Sequence, residues 1–159
     1  MEELTLTYTQ LDDSHANDLL PIWSDVDVIR FTNIKKPYML EEVKEKIKDL
    51  KGFDVFVVSN TNGLIGIVGC PCIDKAKSQY GLFYKFRKSS WGQGYATTSI
   101  KWLLHFMRKK YSDITFFADV VVDNIASEKI LKSFGFRLIS ENAGFERNGI
   151  KMKVHSYKL

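Results

Sequence analysis

The segment RKSSWGQGYATTSIKWLLHFM, Arg87–Met107, determines the architecture that we predict, because it connects a strand to a helix through a glycine loop. Gly92 and Gly94 stand one residue apart, and an apolar stripe at helical spacing follows over residues 95–109. A helix start carries unpaired N–H groups and about half a positive charge. Glycines let an anion approach those groups, so the loop predicts a phosphate or pyrophosphate site. A plain tight turn that needs positive φ would explain the two glycines equally well.

Two common phosphate-binding motifs do not match this loop. A Walker loop continues as Gly-Lys-Ser/Thr, whereas this chain continues as Gly94-Tyr95-Ala96. A dinucleotide-binding loop needs a third glycine where this chain has Thr97, and an acidic residue about 20 residues later at the end of a strand. Asp113 has that spacing but begins a strand. The pattern therefore argues against Walker-type ATP hydrolysis and against NAD.

Strand and helix patterns alternate along the rest of the chain, in the order β-α-α-β-β-β-α-β-α-β-β. Strand patterns occupy 4–11, 53–59, 64–70, 79–86, 113–122, 137–145 and 150–159. Helical patterns occupy 12–31, which Pro21 disturbs or splits, 40–52, 95–109 and 123–136. We predict a single α/β domain over 1–159, with one mixed central sheet of about seven strands and helices on both faces. The strand–helix–strand unit 79–122 should be parallel with a right-handed crossover.

Composition narrows the functional class only modestly. The chain has 23 basic and 19 acidic residues, a net charge of +4, which suits an anionic small ligand as well as nucleic acid. No run of about 18 apolar residues is present, and the acidic, polar N-terminus is unlike a secretory signal. Cys70 and Cys72 are too close for an ordinary disulfide and lack partners for a zinc site. We therefore expect a cytoplasmic protein with free thiols, no metal, no membrane segment and no direct nucleic-acid partner.

Two motifs carry a resemblance to a known family. Trp91-Gly92-Gln93-Gly94-Tyr95-Ala96-Thr97 resembles the pyrophosphate loop of the GNAT superfamily, the acetyl-CoA-dependent N-acetyltransferases, and more narrowly its ribosomal-protein-alanine (Rim-type) branch. The segment ADVVVDNIASEKILKSFGF resembles a second signature of that branch through Asn124, Ser127, Leu131, Gly135 and Phe136. The resemblance implies a GNAT fold in which splayed parallel strands hold acetyl-CoA.

The resemblance also assigns contacts with the cofactor. It places the pantetheine arm between strands 79–86 and 114–122 and the pyrophosphate on the N–H groups of the glycine loop. The contacts it implies are Phe86, Arg87, Trp91, Gly92, Gln93, Gly94, Tyr95, Ala96, Thr97, Asn124 and Ser127. Arg87, Lys88 or Lys129 would add positive charge near the phosphates, although exposed lysines have solvated roles as well.

The chemistry requires a neutral amine that attacks the thioester carbonyl. At neutral pH an α-amine costs about 1 kcal/mol to deprotonate and a lysine about 4–5 kcal/mol, so an α-amine needs less help from a base. Glu141 and Asp119 are the candidate carboxylates, with surface roles as the alternative. By resemblance, Ser127 would protonate the leaving thiolate and Asn124 would orient the pantetheine; Asn124 would equally serve as a helix cap. The N–H of Phe86 would stabilise the developing oxyanion.

The acceptor is not specified by these patterns. Phe31, Tyr38 and Tyr84 are candidates to line its pocket, with core packing as the alternative role. A protein N-terminal α-amine and a small-molecule amine both stay open, as do a monomer and a homodimer. Two other functions are weighed: a GNAT-fold module that binds acyl-CoA without turnover, and a basic protein that binds RNA or the ribosome.

Overall fold

The computed structural model describes residues 5–159, so the predicted start of the first strand at Leu4 lies outside the described residues. The helices are α1 Ala16–Trp23, α2 Val26–Ile29, α3 Leu40–Leu50, α4 Tyr95–Lys110 and α5 Ile125–Ser133. The strands are β1 Thr7–Gln10, β2 Asp54–Asn60, β3 Gly63–Cys70, β4 Cys72–Asp74, β5 Gln79–Gly81, β6 Phe83–Phe86, β7 Thr115–Val121, β8 Arg137–Arg147 and β9 Ile150–Lys158. Within residues 5–159, no helix is both long enough and apolar enough to cross a membrane.

The strands form two sheets where the sequence predicts one. The first sheet has the order β1-β2-β3-β6 and the second has the order β4-β5-β7-β9-β8. The division arises because the predicted strand 79–86 breaks at Leu82: β5 pairs with β7, in parallel as predicted, whereas β6 pairs antiparallel with β3. The chain thus changes sheets at Leu82, whose N–H still donates to the carbonyl of Phe117 at 2.7 Å. Beyond that bond, β6 and β7 separate and leave a gap.

Two apolar clusters cover the faces of the first sheet. One contains Ile100, Leu103 and Leu104 of α4 together with Leu131 of α5. The other packs α1 and α3 against the opposite face, with the ring of Trp23 completely buried. Helices therefore lie on both faces, as predicted. Each fully buried aliphatic side chain contributes roughly 1.5–3 kcal/mol, so these clusters hold β6 firmly in place.

Two glycines of β3 allow the aromatic side chains of β6 to lie across that strand. A Cβ atom at Gly66 would overlap the ring of Phe86. A Cβ atom at Gly69 would lie 2.8 Å from Cε1 of Phe83. Side chains at either glycine would displace these rings, so the two glycines allow β6 to pair closely with β3.

The C-terminal hairpin matches its sequence signal. Asn148 and Gly149 have φ values of 50° and 78°, the left-handed pair that a two-residue hairpin turn with the strand twist requires. The register between β8 and β9 shifts between Asn142 and Phe145, where Gly144 has a φ of 64°. This bulge bends the hairpin, whose tip reaches the loop after α2.

Candidate active site

The glycine loop adopts the conformation that the two glycines permit. Gly92 and Gly94 have φ values of 75° and 82°, in the left-handed region that other residues seldom enter. The indole N–H of Trp91 donates to the carbonyl of Phe86 at 2.9 Å, and the amide of Gln93 donates to the carbonyl of Ser89 at 3.0 Å. These bonds fasten the loop to the end of β6, so both explanations considered for the glycines hold together: a strained turn, and bare backbone at a helix start.

The loop presents six successive backbone N–H groups that have no hydrogen-bond partner in the described part of the chain. Among residues 5–159, no hydrogen bond is donated by the backbone of Gly92 through Thr97, and the first bond within α4 runs from Thr98 N–H to Gly94 at 3.0 Å. These groups stand at the N-terminus of a 16-residue helix, where the helix dipole favours negative charge. The loop therefore fits the pyrophosphate of the acetyl-CoA that the resemblance implies.

The open edge of β6 supplies a second feature of that fit. The N–H of Arg87 donates to the carbonyl of Ile65 at 2.8 Å. The backbone N–H and C=O groups of every second residue of β6, Lys85 included, therefore point toward β3. The backbone groups of Tyr84 and Phe86 consequently point into the gap between β6 and β7. A pantetheine arm carries two amides, and an extended chain with amides pairs with an open strand edge.

The gap forms a cleft of about 640 Å³ that brings most of the predicted residues together. The predicted residues that line it are Phe31, Tyr84, Phe86, Trp91, Gly92, Gly94, Tyr95, Ala96, Thr97, Asn124 and Ser127. Lys129 and Asp119 line it as well. Arg87 and Gln93 are not among the residues that line it: Arg87 donates to the carbonyl of Asp18 at 3.2 Å and Gln93 to the carbonyl of Ser89 at 3.0 Å. Lys88 forms an ion pair with Asp27 at 2.5 Å.

Ser127 is held in the cleft by the start of α5. Asn124 is the N-cap, and its side-chain oxygen accepts a hydrogen bond from the N–H of Ser127 at 3.3 Å. The hydroxyl of Ser127 is hydrogen-bonded to the phenol of Tyr84 across the cleft. Burial raises the pKa of Tyr84, with the bond to Ser127 partly offsetting that rise, so the phenol keeps its proton at neutral pH. Sequence reasoning named both residues but did not pair them.

Glu141 does not line the cleft. It lies on β8, and its carboxylate contacts Nε2 of His155 at 3.3 Å. The other ring nitrogen of His155 is bonded to Glu128, which also accepts a hydrogen bond from the hydroxyl of Tyr157 at 2.9 Å. The bond to Glu128 raises the pKa of His155 despite its burial. This cluster ties the first turn of α5 to β9, and the position of Glu141 does not favour its predicted role as a base.

Tyr38 is also outside the cleft, contrary to its predicted place in the acceptor pocket. Its backbone N–H donates to the carbonyl of Trp23 at 3.0 Å, and its ring centre lies 6.3 Å from that of Trp23. The ring lies beside α3. Burial raises the pKa of the Tyr38 phenol, and the negative charge of Glu42 raises it further. Tyr38 therefore has the packing role that the sequence left as the alternative.

Arg147, at the tip of the β8–β9 hairpin, shapes the end of the cleft near Phe31. Its guanidinium donates to the carbonyls of Ile29 at 3.3 Å, Arg30 at 2.7 Å, Thr32 at 2.6 Å and Ile34. The loop after α2 is thereby fastened to a hairpin more than 110 residues away in sequence. No local pattern signals this contact, and sequence reasoning missed Arg147.

Lys85 is a second residue that sequence reasoning missed. It lies in the middle of β6, is partly buried and lines the cleft. Burial lowers the pKa of its ammonium to about 8, and repulsion from Lys46 adds to the effect. The signal in the sequence was a lysine within the otherwise aromatic strand FYKF, which a solvated strand position would equally explain.

A comparison with family models matches residues 5–137 to the acetyltransferase (GNAT) domain. An uncharacterised N-acetyltransferase, p20, from Bacillus licheniformis is 25% identical over 144 residues, which cover 86% of this chain and 80% of that protein.

Several solved structures share this fold. A GNAT-family acetyltransferase from Bacillus anthracis has a TM-score of 0.85 at 16% identity, covering 100% of this chain and 96% of that one. RimL, a ribosomal α-N-protein acetyltransferase solved with coenzyme A, has a TM-score of 0.84 at 21% identity, covering 99% and 94%. A chimera of the spermidine N-acetyltransferase SpeG from Vibrio cholerae has a TM-score of 0.84 at 18% identity, covering 97% and 94%.

Proposed function

The chain belongs to the acetyltransferase (GNAT) domain family, and we propose that it acetylates either a protein N-terminal α-amine or a small-molecule primary amine by direct attack. As a member of that family it is an acyltransferase that uses acetyl-CoA, and an amine is the acceptor. The observation that carries the proposal is the row of six backbone N–H groups from Gly92 to Thr97 without protein partners among residues 5–159. We also propose that residues 1–159 act as one domain, as a monomer or homodimer, in the cytoplasm.

Different parts of the cleft contact different parts of acetyl-CoA. The N–H groups of the loop hold the pyrophosphate, and the backbone of Tyr84 and Phe86 orients the pantetheine arm. When bound, acetyl-CoA supplies an acetyl group activated as a thioester. The rest of the chemistry falls to the acceptor and to side chains of this chain.

The acceptor nitrogen must lose a proton before it attacks. For an α-amine with a pKa of about 7.7–8.0, this costs about 1 kcal/mol at neutral pH, and solvent suffices as the proton acceptor. As the amine attacks, the bond between nitrogen and the acetyl carbon forms, and the bond between that carbon and sulfur breaks. The hydroxyl pair of Ser127 and Tyr84 would pass a proton to the departing sulfur and regain one from solvent, and the nitrogen releases its surplus proton to water.

The acceptor enters at the end of the cleft lined by Phe31 and Thr32. The loop that carries these residues is fastened by Arg147, so this end is preorganised. Two of the solved structures with this fold are an acetyltransferase of a ribosomal protein α-N-terminus and a spermidine N-acetyltransferase. Both amine classes therefore belong in the test.

The experiment is an acetyl-transfer assay that measures release of free thiol from acetyl-CoA. The acceptors are pooled short peptides with free N-termini, the same peptides with blocked N-termini, pooled amino acids and spermidine. We expect thiol release that depends on a free primary amine, with the acetylated product identified by mass spectrometry. Binding of acetyl-CoA without thiol release on any acceptor would contradict the proposal.

A further inference from the structure

Lys85 points to the face of the first sheet that lies away from the glycine loop. Successive side chains of a strand point to opposite faces. Tyr84 and Phe86 pack into the cluster with α4 and α5, whereas Phe83 packs into the cluster with α1 and α3. Lys85 alternates with Tyr84 and Phe86, so it shares the face of Phe83.

Asp119 has the matching orientation on the other wall of the cleft. Its neighbours on β7, Ala118 and Val120, are buried in the cluster with α4 and α5. Asp119 is exposed and points the opposite way, where the hydroxyl of Ser156 donates to its carboxylate at 2.7 Å. The two walls of the cleft therefore carry one cation and one carboxylate on the face away from the phosphate loop.

Neither charge has an ion-pair partner in the part of the chain that the structure describes. Within residues 5–159, no ion pair includes Lys85 or Asp119, and the charge that acts on Lys85 is the like charge of Lys46. By contrast, Asp27 and Lys88 at this end form an ion pair, with 2.5 Å between Lys88 Nζ and Asp27 Oδ2. A partly buried cation without a counter-ion is costly, and the structure keeps one beside the acceptor entrance.

A cofactor held by the loop on the α4 face and by the edge of β6 leaves the opposite face for the acceptor. We propose that the acceptor carries a carboxylate near its primary amine, with Lys85 binding the carboxylate and Asp119 attracting the amine as its ammonium form. This inference rests on the proposed acetyl transfer and narrows its substrate class. The carboxylate is either that of a free amino acid or an acidic side chain at a peptide N-terminus; the chemistry recognised is the same.

The test compares acceptors with and without a carboxylate near the amine; in the amino-acid arm the amide also has a less basic amine, which by itself favours the amide. One arm uses pooled L-amino acids against their pooled α-amides. The second arm uses C-terminally amidated peptides that begin with Asp or Glu against the same peptides that begin with Asn or Gln. Spermidine completes the panel as an amine without a carboxylate. Thiol release at saturating acetyl-CoA gives kcat/KM for each acceptor.

We expect at least a tenfold preference for the carboxylate in one arm, and that arm identifies its source. Lys85→Met should reduce kcat/KM at least tenfold on the preferred acceptor but less than threefold on its neutral partner. Asp119→Asn should lower kcat/KM on both members of the pair. Lys101→Met, which removes an exposed lysine of α4, is the matched control and should match the wild type. An unchanged thermal unfolding midpoint and affinity for acetyl-CoA would show that Lys85→Met leaves the fold and the cofactor site intact.

The outcomes separate this inference from the proposed function. Thiol release with amides or spermidine but without a preference for a carboxylate would overturn the inference and leave acetyl transfer standing. A carboxylate preference that survives in Lys85→Met would overturn the role of Lys85. Absence of thiol release on every acceptor, spermidine included, would contradict the proposed function and the inference together.

Discussion

In the function that we propose, the two ends of the cleft recognise their ligands by different means. The cofactor end uses backbone N–H groups from one continuous segment, 84–97, and its side chains mainly fasten that segment in place. The acceptor end that we propose would depend on side chains from four separate places: the loop after α2, Lys85, Asp119 and Arg147. One end is a local structure, and the other exists only because the chain folds.

This difference explains why one site is general and the other is specific. A backbone cradle offers the same N–H groups whatever the neighbouring side chains are, so many sequences can bind one cofactor. Side chains on four segments can each be replaced without loss of the cradle. We therefore expect substitutions at the acceptor end to change the choice of acceptor without loss of acetyl-CoA binding.

The largest expected effect comes from breaking the backbone cradle. Gly94→Asp places a carboxylate beside the N–H groups that receive the pyrophosphate, and the new side chain must adopt a φ near the 82° of this glycine. We expect affinity for acetyl-CoA to fall at least 100-fold, measured by isothermal titration calorimetry.

Gly149→Asp is the control matched for backbone strain, because Gly149 has a φ of 78° and open space around its Cβ position. It should destabilise the fold by a similar amount and leave the affinity for acetyl-CoA within about threefold of the wild type. Equal loss of affinity in both variants would show that strain, and not the phosphate cradle, explains the effect.

The next effect concerns the residues between the two ends. Ser127→Ala removes the hydroxyl bonded to Tyr84, and we expect kcat to fall about 10–100-fold with affinity for acetyl-CoA nearly unchanged, since general-acid help is typically worth 10²–10⁴ and the thiolate leaves fairly well without it. Tyr84→Phe should show a smaller loss of the same kind. Ser133→Ala, on the same helix, removes an exposed hydroxyl bonded to a backbone carbonyl and should be silent. Normal turnover in Ser127→Ala would leave that serine with a structural role alone.

The sequence predicts the local parts of this molecule and misses the parts that depend on topology. The glycine loop, the cap at Asn124 and the Asn148–Gly149 turn are short-range signals, and the structure contains all three. The break at Leu82 has no local signal, because a strand that changes sheets keeps its strand pattern. One continuous sheet was therefore the natural prediction, and the two sheets were missed.

The same distinction applies to individual site residues. Tyr38 and Glu141 were proposed by residue type, and residue type does not say which side of a fold an aromatic ring or a carboxylate occupies. Arg147 and Lys85 were missed because their partners and their faces follow from the pairing of β8 with β9 and of β6 with β3. Their importance becomes visible only when the strands are placed.

A smaller effect is expected at the acceptor end. Arg147→Met removes four hydrogen bonds, one to the last residue of α2 and three to the loop after it, so the loop loses its preorganised shape and these carbonyls return to solvent. We expect KM for the acceptor to rise about tenfold with affinity for acetyl-CoA unchanged, measured by steady-state kinetics. Lys151→Met, on the facing strand of the same hairpin, removes an exposed charge and should leave KM unchanged. A parallel loss of cofactor affinity in Arg147→Met would show that the two ends are not independent.

The smallest effect concerns the cost of keeping a cation at the acceptor end. The pKa of Lys85 is lowered from 10.5 to about 8 in the folded protein, so below pH 8 its charge opposes folding, and the penalty fades as pH rises from 8 to about 10.5. The full shift corresponds to about 3 kcal/mol, but the side chain is partly exposed, and we expect about 1 kcal/mol. Lys85→Met should therefore be more stable than the wild type in urea at pH 7, and this gain should shrink toward pH 10.5. A gain that persists at pH 10.5 would reflect packing of the methionine, whereas a loss of stability at pH 7 would show that the ammonium is already satisfied without an acceptor.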